Sequence, residues 1–511
     1  MSFNVLTDPW VALDDGKGCA SYVDILCGAR DGTDIVHPRD DVRFFTRMLL
    51  SALTQALFGH LVPDARALRR QLSEPLAPDI VEKCVESVKG DFEIVGEQAF
   101  LQGPARPRKG YLEKDDTDGR SDDVEDDGVD SLLYDAAKHQ LYRGVLDTGV
   151  VSVESAVPLL YAAQAFARSG GQGYFPGVRG APPLTTLVRR PFVRATVWAN
   201  VLHGERRVGY PEDRDRPWRQ DAVDASAPIG LVEGLFWQPL AVRAEWADPG
   251  GVCAATGRPL DRPGIRVWRL GGRMRAGKIP FAHPYSPVIV DGKKPPRFQR
   301  LSAERPAWAG LGEMLPGVSE DGQPRTACPA PVVEQWSELA SDVDLGEVRL
   351  LVFEYVTDKA SVSARFSELV PLSEALQDNH LADSASARVR EAASALRALR
   401  SSLFPGKKRR DGALRARSGG REKSGDVTAA FWQRTEPLFW TAFDAKVAHV
   451  DGRDAFREGI RRIALGIFKR ETSVLDGDPA GLARVVRQEQ HLRRELRKLF
   501  PTTPNGKGAS Q

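Results

Sequence analysis

Apolar residues recur every three or four positions through "PRDDVRFFTRMLLSALTQALFG", placing Phe44, Met48, Ala52, Leu53 and Leu57 on one helical face. Pro38 and the acidic pair Asp40–Asp41 suit a helix start, where negative charge meets the positive end of the backbone dipole. Gly59 suits the stop, so the spacing predicts a core helix. From about Leu184 to Val290 the pattern shortens to extended segments between turn residues: "TTLVRR", "RATVWANVL", "GLFWQPLAVRAEW", "IRVWRL" and "SPVIV". Mixed, strand-rich structure with long loops follows. After "EVRLLVFEYVTDKASVSARF" the period returns to helical. Val389, Leu396, Leu399 and Leu403 share one face; Phe456, Ile460, Ile463 and Ile467 another; Val485, Leu492, Leu496 and Leu499 a third. With "VTAAFWQRTEPLFWTAFDAKV", expected to kink or break near Pro437, these make four amphipathic helices, the pattern of a bundle. The expected fold class is α+β: a mixed α/β N-terminal domain with long loops over residues 1–370, then a C-terminal four-helix bundle over residues 371–511.

Three polar or glycine-rich stretches interrupt this pattern. "KDDTDGRSDDVEDDGVD" (Lys114 to Asp130) is acidic and free of aromatics, and reads as a disordered insertion. It does not fit a calcium loop. Setting Gly119 at the motif's glycine puts Lys114 in the first ligand position, and setting Gly128 there puts Tyr134 where the bidentate glutamate belongs. "GKKRRDGALRARSGGREK" (Gly406 to Lys423) is a glycine-broken basic loop; such runs are usually solvated, but Lys407, Lys408, Arg409 and Arg410 together suit phosphates. "GGQGYFPGVRGAPPLTTLVRR" (Gly170 to Arg190) holds five glycines and three prolines before turning β-branched and basic. Its ordinary reading is a long surface turn feeding a strand; the sharper one is a backbone-lined cradle for something large and anionic.

Composition narrows these readings. A chain of 511 residues is long for one core and should divide into at least two domains. With 42% hydrophobic and 27% charged residues it has an ordinary globular composition, and its net charge of +2 confines any nucleic-acid site to a local patch. No apolar run reaches the ~18 residues of a membrane span, and "MSFNVLTDPW" has neither the basic nor the apolar region of a signal peptide. Five scattered cysteines (Cys19, Cys27, Cys84, Cys253, Cys328) argue against a disulfide framework. A reducing, cytoplasmic location without membrane association is expected.

The chain carries no phosphate-binding Gly-x-x-x-x-Gly-Lys-Ser/Thr loop, no Gly-x-Ser-x-Gly elbow and no His-Glu-x-x-His helix. Its eight histidines are dispersed; His283 in "FAHPYSP" has no partner at metal spacing, so a structural hydrogen-bonding role is expected. Cys253 in "GGVCAATGRPL" lacks a Cys-x-x-Cys partner. No metal, cofactor or catalytic residue is therefore expected. The rival reading is a stand-alone hydrolase or transferase whose dispersed carboxylates meet only in the fold.

A set of ordered stretches resembles the large subunit of the type I-E Cascade complex, the RNA-guided CRISPR surveillance assembly. These are "FNVLTDPWV", "PRDD" opening the first long helix, "AFLQG" at Ala99–Gly103, the glycine loop with "PLTTLVR", "GLVEGLFWQP", "FAHPYSP", "RPAWAGL" and the terminal helices. The resemblance runs over nearly the whole chain. It implies a non-enzymatic subunit that recognises the protospacer-adjacent motif in double-stranded DNA, promotes duplex opening and R-loop formation, holds the displaced strand, and helps recruit a separate helicase-nuclease for antiviral defence. Implied partners are the crRNA guide, the target duplex, the backbone, small and RNA-end subunits, and that helicase-nuclease. Guide pairing reads the long sequence while the protein reads a short motif and backbone shape.

The resemblance also implies site residues. Gly170, Gly171, Gln172 and Gly173 match the loop that approaches the motif from the minor groove, a channel about 6 Å wide where a bare backbone fits best. Gln172 departs from the family's run of glycines. A basic side chain reaching the motif falls near "IRVWRLGGRMRAGK", with Arg269 first and Arg273 next. The wedge that splits the first base pairs matches the tip of "EYVTDKASV", at Asp358, Lys359 and Ala360; relatives commonly show an amide where this chain has Lys359. A loop touching the RNA 5′ end falls within Leu141 to Ser152, where Tyr142 and Arg143 suit stacking and phosphate contact. Some relatives bind zinc where this chain has Cys253 alone, so no metal is implied here.

Overall fold

The computed structural model describes residues 1–96, 99–103, 132–133, 149–168, 174–180, 182–219, 228–276, 281–290, 296–301, 305–315, 327–340, 347–358, 361–372, 381–405, 407–408, 414–415, 420–447, 450–473 and 479–501. The acidic insertion lies outside them. The chain divides into two compact units, Met1–Arg300 with Thr326–Gln377, and Leu301–Arg325 with Asp378–Gln511.

In the first unit, α1 spans Asp40–Phe58 and ends at Gly59, the range the spacing predicts. It is buried on nearly every side rather than along one stripe. Its small polar residues permit this by satisfying themselves within the helix. The hydroxyls of Thr46, Ser51 and Thr54 donate to the carbonyls of Val42, Arg47 and Leu50 at 2.8, 2.9 and 2.8 Å. A second helix, α2, spans Val153–Ala165. Three strands follow: β1 at Thr185–Arg189, then β2 at Leu240–Trp246 and β3 at Ile265–Gly272, which pair antiparallel with each other. Strands β4 (Arg349–Asp358) and β5 (Ser361–Pro371) form a hairpin, and β1 pairs antiparallel with β4, giving the order β5-β4-β1.

Aromatic rings join α1 to this sheet. Phe44 stacks on Phe353 at 4.8 Å, and Phe45 lies 5.1 Å from Phe353 and 5.0 Å from Phe166, just past the end of α2. Fully burying such a side chain stabilises by roughly 1.5–3 kcal/mol, so this cluster fixes helix and hairpin together.

The second unit carries α3 (Leu381–Leu403), a short antiparallel pair of β6 (Lys407–Lys408) and β7 (Leu414–Arg415), then α4 (Gly420–Val447), α5 (Arg453–Thr472) and α6 (Pro479–Leu499). Helix α4 runs through Pro437 as one helix, so of the kink or break expected there the break does not occur. Tertiary contacts override the local cost: Trp308 packs against Trp432 at 5.3 Å and Phe439 at 4.6 Å, rings on either side of the proline. The same contacts tie Trp308, and with it residues 301–325, to the second unit. The forecast buried face of α6 holds at Val485, Leu492 and Leu496, whereas Leu499, at the helix end, is exposed.

Candidate nucleic-acid interface

The glycine-loop residues Gly170, Gly171, Gln172 and Gly173 lie outside the described residues, but the chain on both sides of them is placed. Upstream, α2 ends at Ala165 and Phe166 turns into the core, 5.8 Å from Phe353 and 6.3 Å from Tyr355 on β4. Downstream, the Gly177 N–H donates to the Ala167 carbonyl at 3.0 Å, closing the loop at its base. A Cβ on Gly177 would meet the backbone oxygens of Ala165 at 3.1 Å and Gln164 at 3.3 Å, so only glycine sits there without displacing the helix end. Gly180 closes a tight turn with Gly177 at 2.8 Å and has φ +79°, the left-handed region glycine favours.

Antiparallel pairing of Thr185 with Phe353 sets the start of β1 beside the middle of β4, which runs on five residues to Asp358. The segment leading out of the glycine loop therefore enters the sheet from the side on which the hairpin ends. Asp358 pairs with Ser361 through the backbone; Lys359 and Ala360, between them in the chain, lie outside the described residues.

A buried carboxylate anchors the hairpin. Asp41, at the start of α1, accepts from the Tyr355 hydroxyl at 2.7 Å, from Arg39 at 2.5 Å and from Arg365 at 3.3 Å. Burial raises its pKa, but the charges and hydrogen bonds of Arg39, Arg365 and Tyr355 outweigh that and hold it below the usual carboxylate value. In the sequence Asp41 stands out only as a helix-start residue.

The third expected element is fastened to the same helix end. The Gln164 amide donates to the carbonyls of Leu101 and Leu240, both at 3.0 Å, and accepts from the Leu240 N–H at 3.1 Å. Leu240 faces Gly272 across the β2–β3 pair, three residues beyond Arg269, whose backbone pairs with Val242. A lone amide inside "VPLLYAAQAFA" was the available signal, since a buried polar group needs partners. Arg273 is 5% exposed; its guanidinium donates to the Gln238 carbonyl oxygen and its backbone N–H to the Pro239 carbonyl. Its guanidinium packs against Gly103 of "AFLQG", where a Cβ would meet it.

Lys407 and Lys408 sit in a two-residue ladder with Arg415 and Leu414, so this part of the basic loop is a short hairpin; Arg409 and Arg410 lie outside the described residues, as do Tyr142 and Arg143. His283 is buried and its Nδ1 accepts from the Tyr285 N–H at 3.2 Å, the structural role expected of it. Burial, aided by the Arg179 charge, drives its pKa far down and keeps it neutral. Cys253 is buried and its Sγ accepts from the Ser152 N–H at 3.2 Å. Among the described residues no group of three His, Cys, Asp or Glu could hold a metal ion, and no helix is long and apolar enough to cross a membrane.

This architecture is that of large CRISPR-associated proteins. The structure of CasA from Thermus thermophilus aligns with TM-score 0.69 at 18% identity, covering 98% of this chain and 100% of that one. Thermobifida fusca Cse1 aligns with TM-score 0.69 at 18% identity, covering 98% and 99%. A chain of a CRISPR RNA-guided surveillance complex aligns with TM-score 0.67 at 17% identity, covering 96% and 99%. The chain belongs to the CRISPR-associated protein Cse1 family, whose model matches residues 4–467.

Proposed function

We propose that this chain is the non-catalytic large subunit of a type I-E RNA-guided surveillance complex, reading a short motif in duplex DNA and starting strand separation beside it. The observation that carries this reading, given the family, is that the strand leaving the glycine loop starts beside the middle of β4, so that loop and hairpin end approach the sheet from the same direction. A reader of the minor groove and a wedge for the adjacent base pair must lie together, because the two events occur one base step apart. Arg269 is the basic side chain assigned to the motif, and Tyr142 and Arg143 are assigned to the RNA 5′ end. The four long helices of the second unit are read as a four-helix bundle, and the chain as a whole as helping to hold the displaced strand and recruit the helicase-nuclease.

Reconstituting the complex with guide RNA and a library randomised at the motif tests this directly. A narrow set of enriched motifs, lost when this subunit is omitted, is expected; enrichment unchanged without it, or substrate turnover by the isolated chain, overturns the reading.

The wedge is tested at Lys359. Unstacking a base step costs a few kcal/mol, part of which the inserted group must offset. Lys359→Ala is expected to slow association with an intact duplex about tenfold, and to change it little when the first base pairs beside the motif are mismatched. Equal losses on both duplexes identify a phosphate anchor instead.

The basic loop acts without sequence preference. Neutralising Lys407, Lys408, Arg409 and Arg410 should weaken binding to all sequences alike. It should also lower the slope of log K against log salt by about 0.9 for each duplex phosphate no longer neutralised, or about 0.7 on a single strand. An unchanged slope returns the loop to a solvated role.

A further inference from the structure

Arg179 sits in the turn between Gly177 and Gly180 and is 5% exposed. Its guanidinium bridges three segments. Nη1 donates to the Thr185 hydroxyl at 2.7 Å and the Ser286 hydroxyl at 2.8 Å, and Nη2 donates to the Ala165 carbonyl at 3.1 Å. Ala165 ends the helix that enters the glycine loop, Thr185 begins the strand that leaves it, and Ser286 belongs to "FAHPYSP". The guanidinium also lies over the Phe166 ring at 4.6 Å, and that ring packs on Phe353 and Tyr355 of the hairpin.

Every acceptor named here is neutral. Burial depresses the Arg179 pKa to about 9, and no carboxylate among the described residues offsets it. Such a group is poor packing material, since an apolar side chain of similar volume is often as stable or better. What arginine adds is a flat fork of donors that ties several acceptors at fixed angles, which a lysine's single ammonium cannot reproduce.

We infer that Arg179 is the positioning residue of the glycine loop, clamping the segments that enter and leave it to each other and to the hairpin, and through them fixing the two ends from which the motif is met. This rests on the reading that the loop recognises the motif. Arg179 itself touches no DNA; it acts through the loop.

The test uses the whole complex with guide RNA, carrying Arg179→Lys or, as a milder lesion, Ser286→Ala. Two duplexes with preferred and scrambled motifs measure discrimination, and a target already opened beside the motif measures binding that bypasses it. Arg179→Lys is expected to lower discrimination at least tenfold, and Ser286→Ala about threefold, with affinity for the opened target changed less than twofold in both. Hydrogen exchange at the Gly177 amide, bonded across the loop base, should quicken in both variants while the amides of α1 keep their protection. Equal losses on all targets, or unchanged discrimination with unchanged Gly177 exchange, overturn the inference. If the unmodified complex itself does not discriminate motifs, the recognition reading fails, and the exchange result alone decides whether Arg179 clamps the loop.

Discussion

A complex whose large subunit carries Gly171→Val and Gly173→Val together will assemble normally and lose motif-dependent binding. The minor groove, about 6 Å wide, admits a bare backbone, and two branched side chains fill the space that the approach needs. Each mismatched base pair in a protein–DNA site costs about 1–3 kcal/mol, so removing recognition of a motif of a few pairs should lower discrimination on the order of 100-fold. Assembly should survive, because both ends of the loop are held by interactions that do not involve residues 171 and 173: the Gly177–Ala167 hydrogen bond downstream and Phe166 in the aromatic cluster upstream. Affinity for preferred and scrambled duplexes, with size-exclusion profiles of the complex, measures both halves. Normal motif preference in the doubly substituted protein would falsify the cradle.

The second large effect is on the hairpin's anchor. Asp41→Ala removes the carboxylate that Arg39 and Arg365 share, leaving Arg365 its ion pair with Asp40 at 2.8 Å, and removes an acceptor of the Tyr355 hydroxyl. Breaking a buried ion pair from one side costs about 3–5 kcal/mol; Arg39 and Arg365 retain some contact with solvent and Arg365 keeps Asp40, which places the expectation at or below about 3 kcal/mol. Asp41→Asn keeps the shape and an acceptor and should lose less. The pH dependence has a defined sign. The folded pKa of Asp41 lies below its ordinary value of 3.8, so its stabilisation is fully present above pH 3.8 and disappears as pH falls through the lower folded value. Urea unfolding of the isolated chain at neutral and acid pH checks this. A wild-type and Asp41→Ala difference that persists undiminished in acid excludes the carboxylate as its source.

Hairpin anchoring also bears on the wedge. Tyr355 and Arg365 face each other across the β4–β5 pair, three residues before Asp358 and four after Ser361. A group that pushes into a base step needs a rigid base, and the Asp41 network supplies one on the side away from the turn.

Elements whose order depends on local pattern were legible in the chain. The first core helix came out at Asp40–Phe58 because its apolar spacing, acidic start and following glycine all agree. The four C-terminal helices likewise follow from short-range period. The N-terminus of α4 did not: it begins at Gly420, inside the stretch read as a basic loop. Glycines there are weak helix formers, and local propensity alone argued for a loop.

Residues that hold the site together were hidden for a different reason. The chain alone determined which side chains are suited to touch a ligand, since glycine-rich, basic and turn residues carry their chemistry in their identity. Only the tertiary structure decided which charged groups are withdrawn from solvent. Arg179 and Arg273 look in sequence like any surface arginine beside glycine, yet each is 5% exposed and bonded to neutral acceptors. Asp41 meets Tyr355 and Arg365 across more than 300 positions of chain. Burial of a charge is set by what packs around it, and those neighbours arrive from distant segments that no local period or spacing encodes.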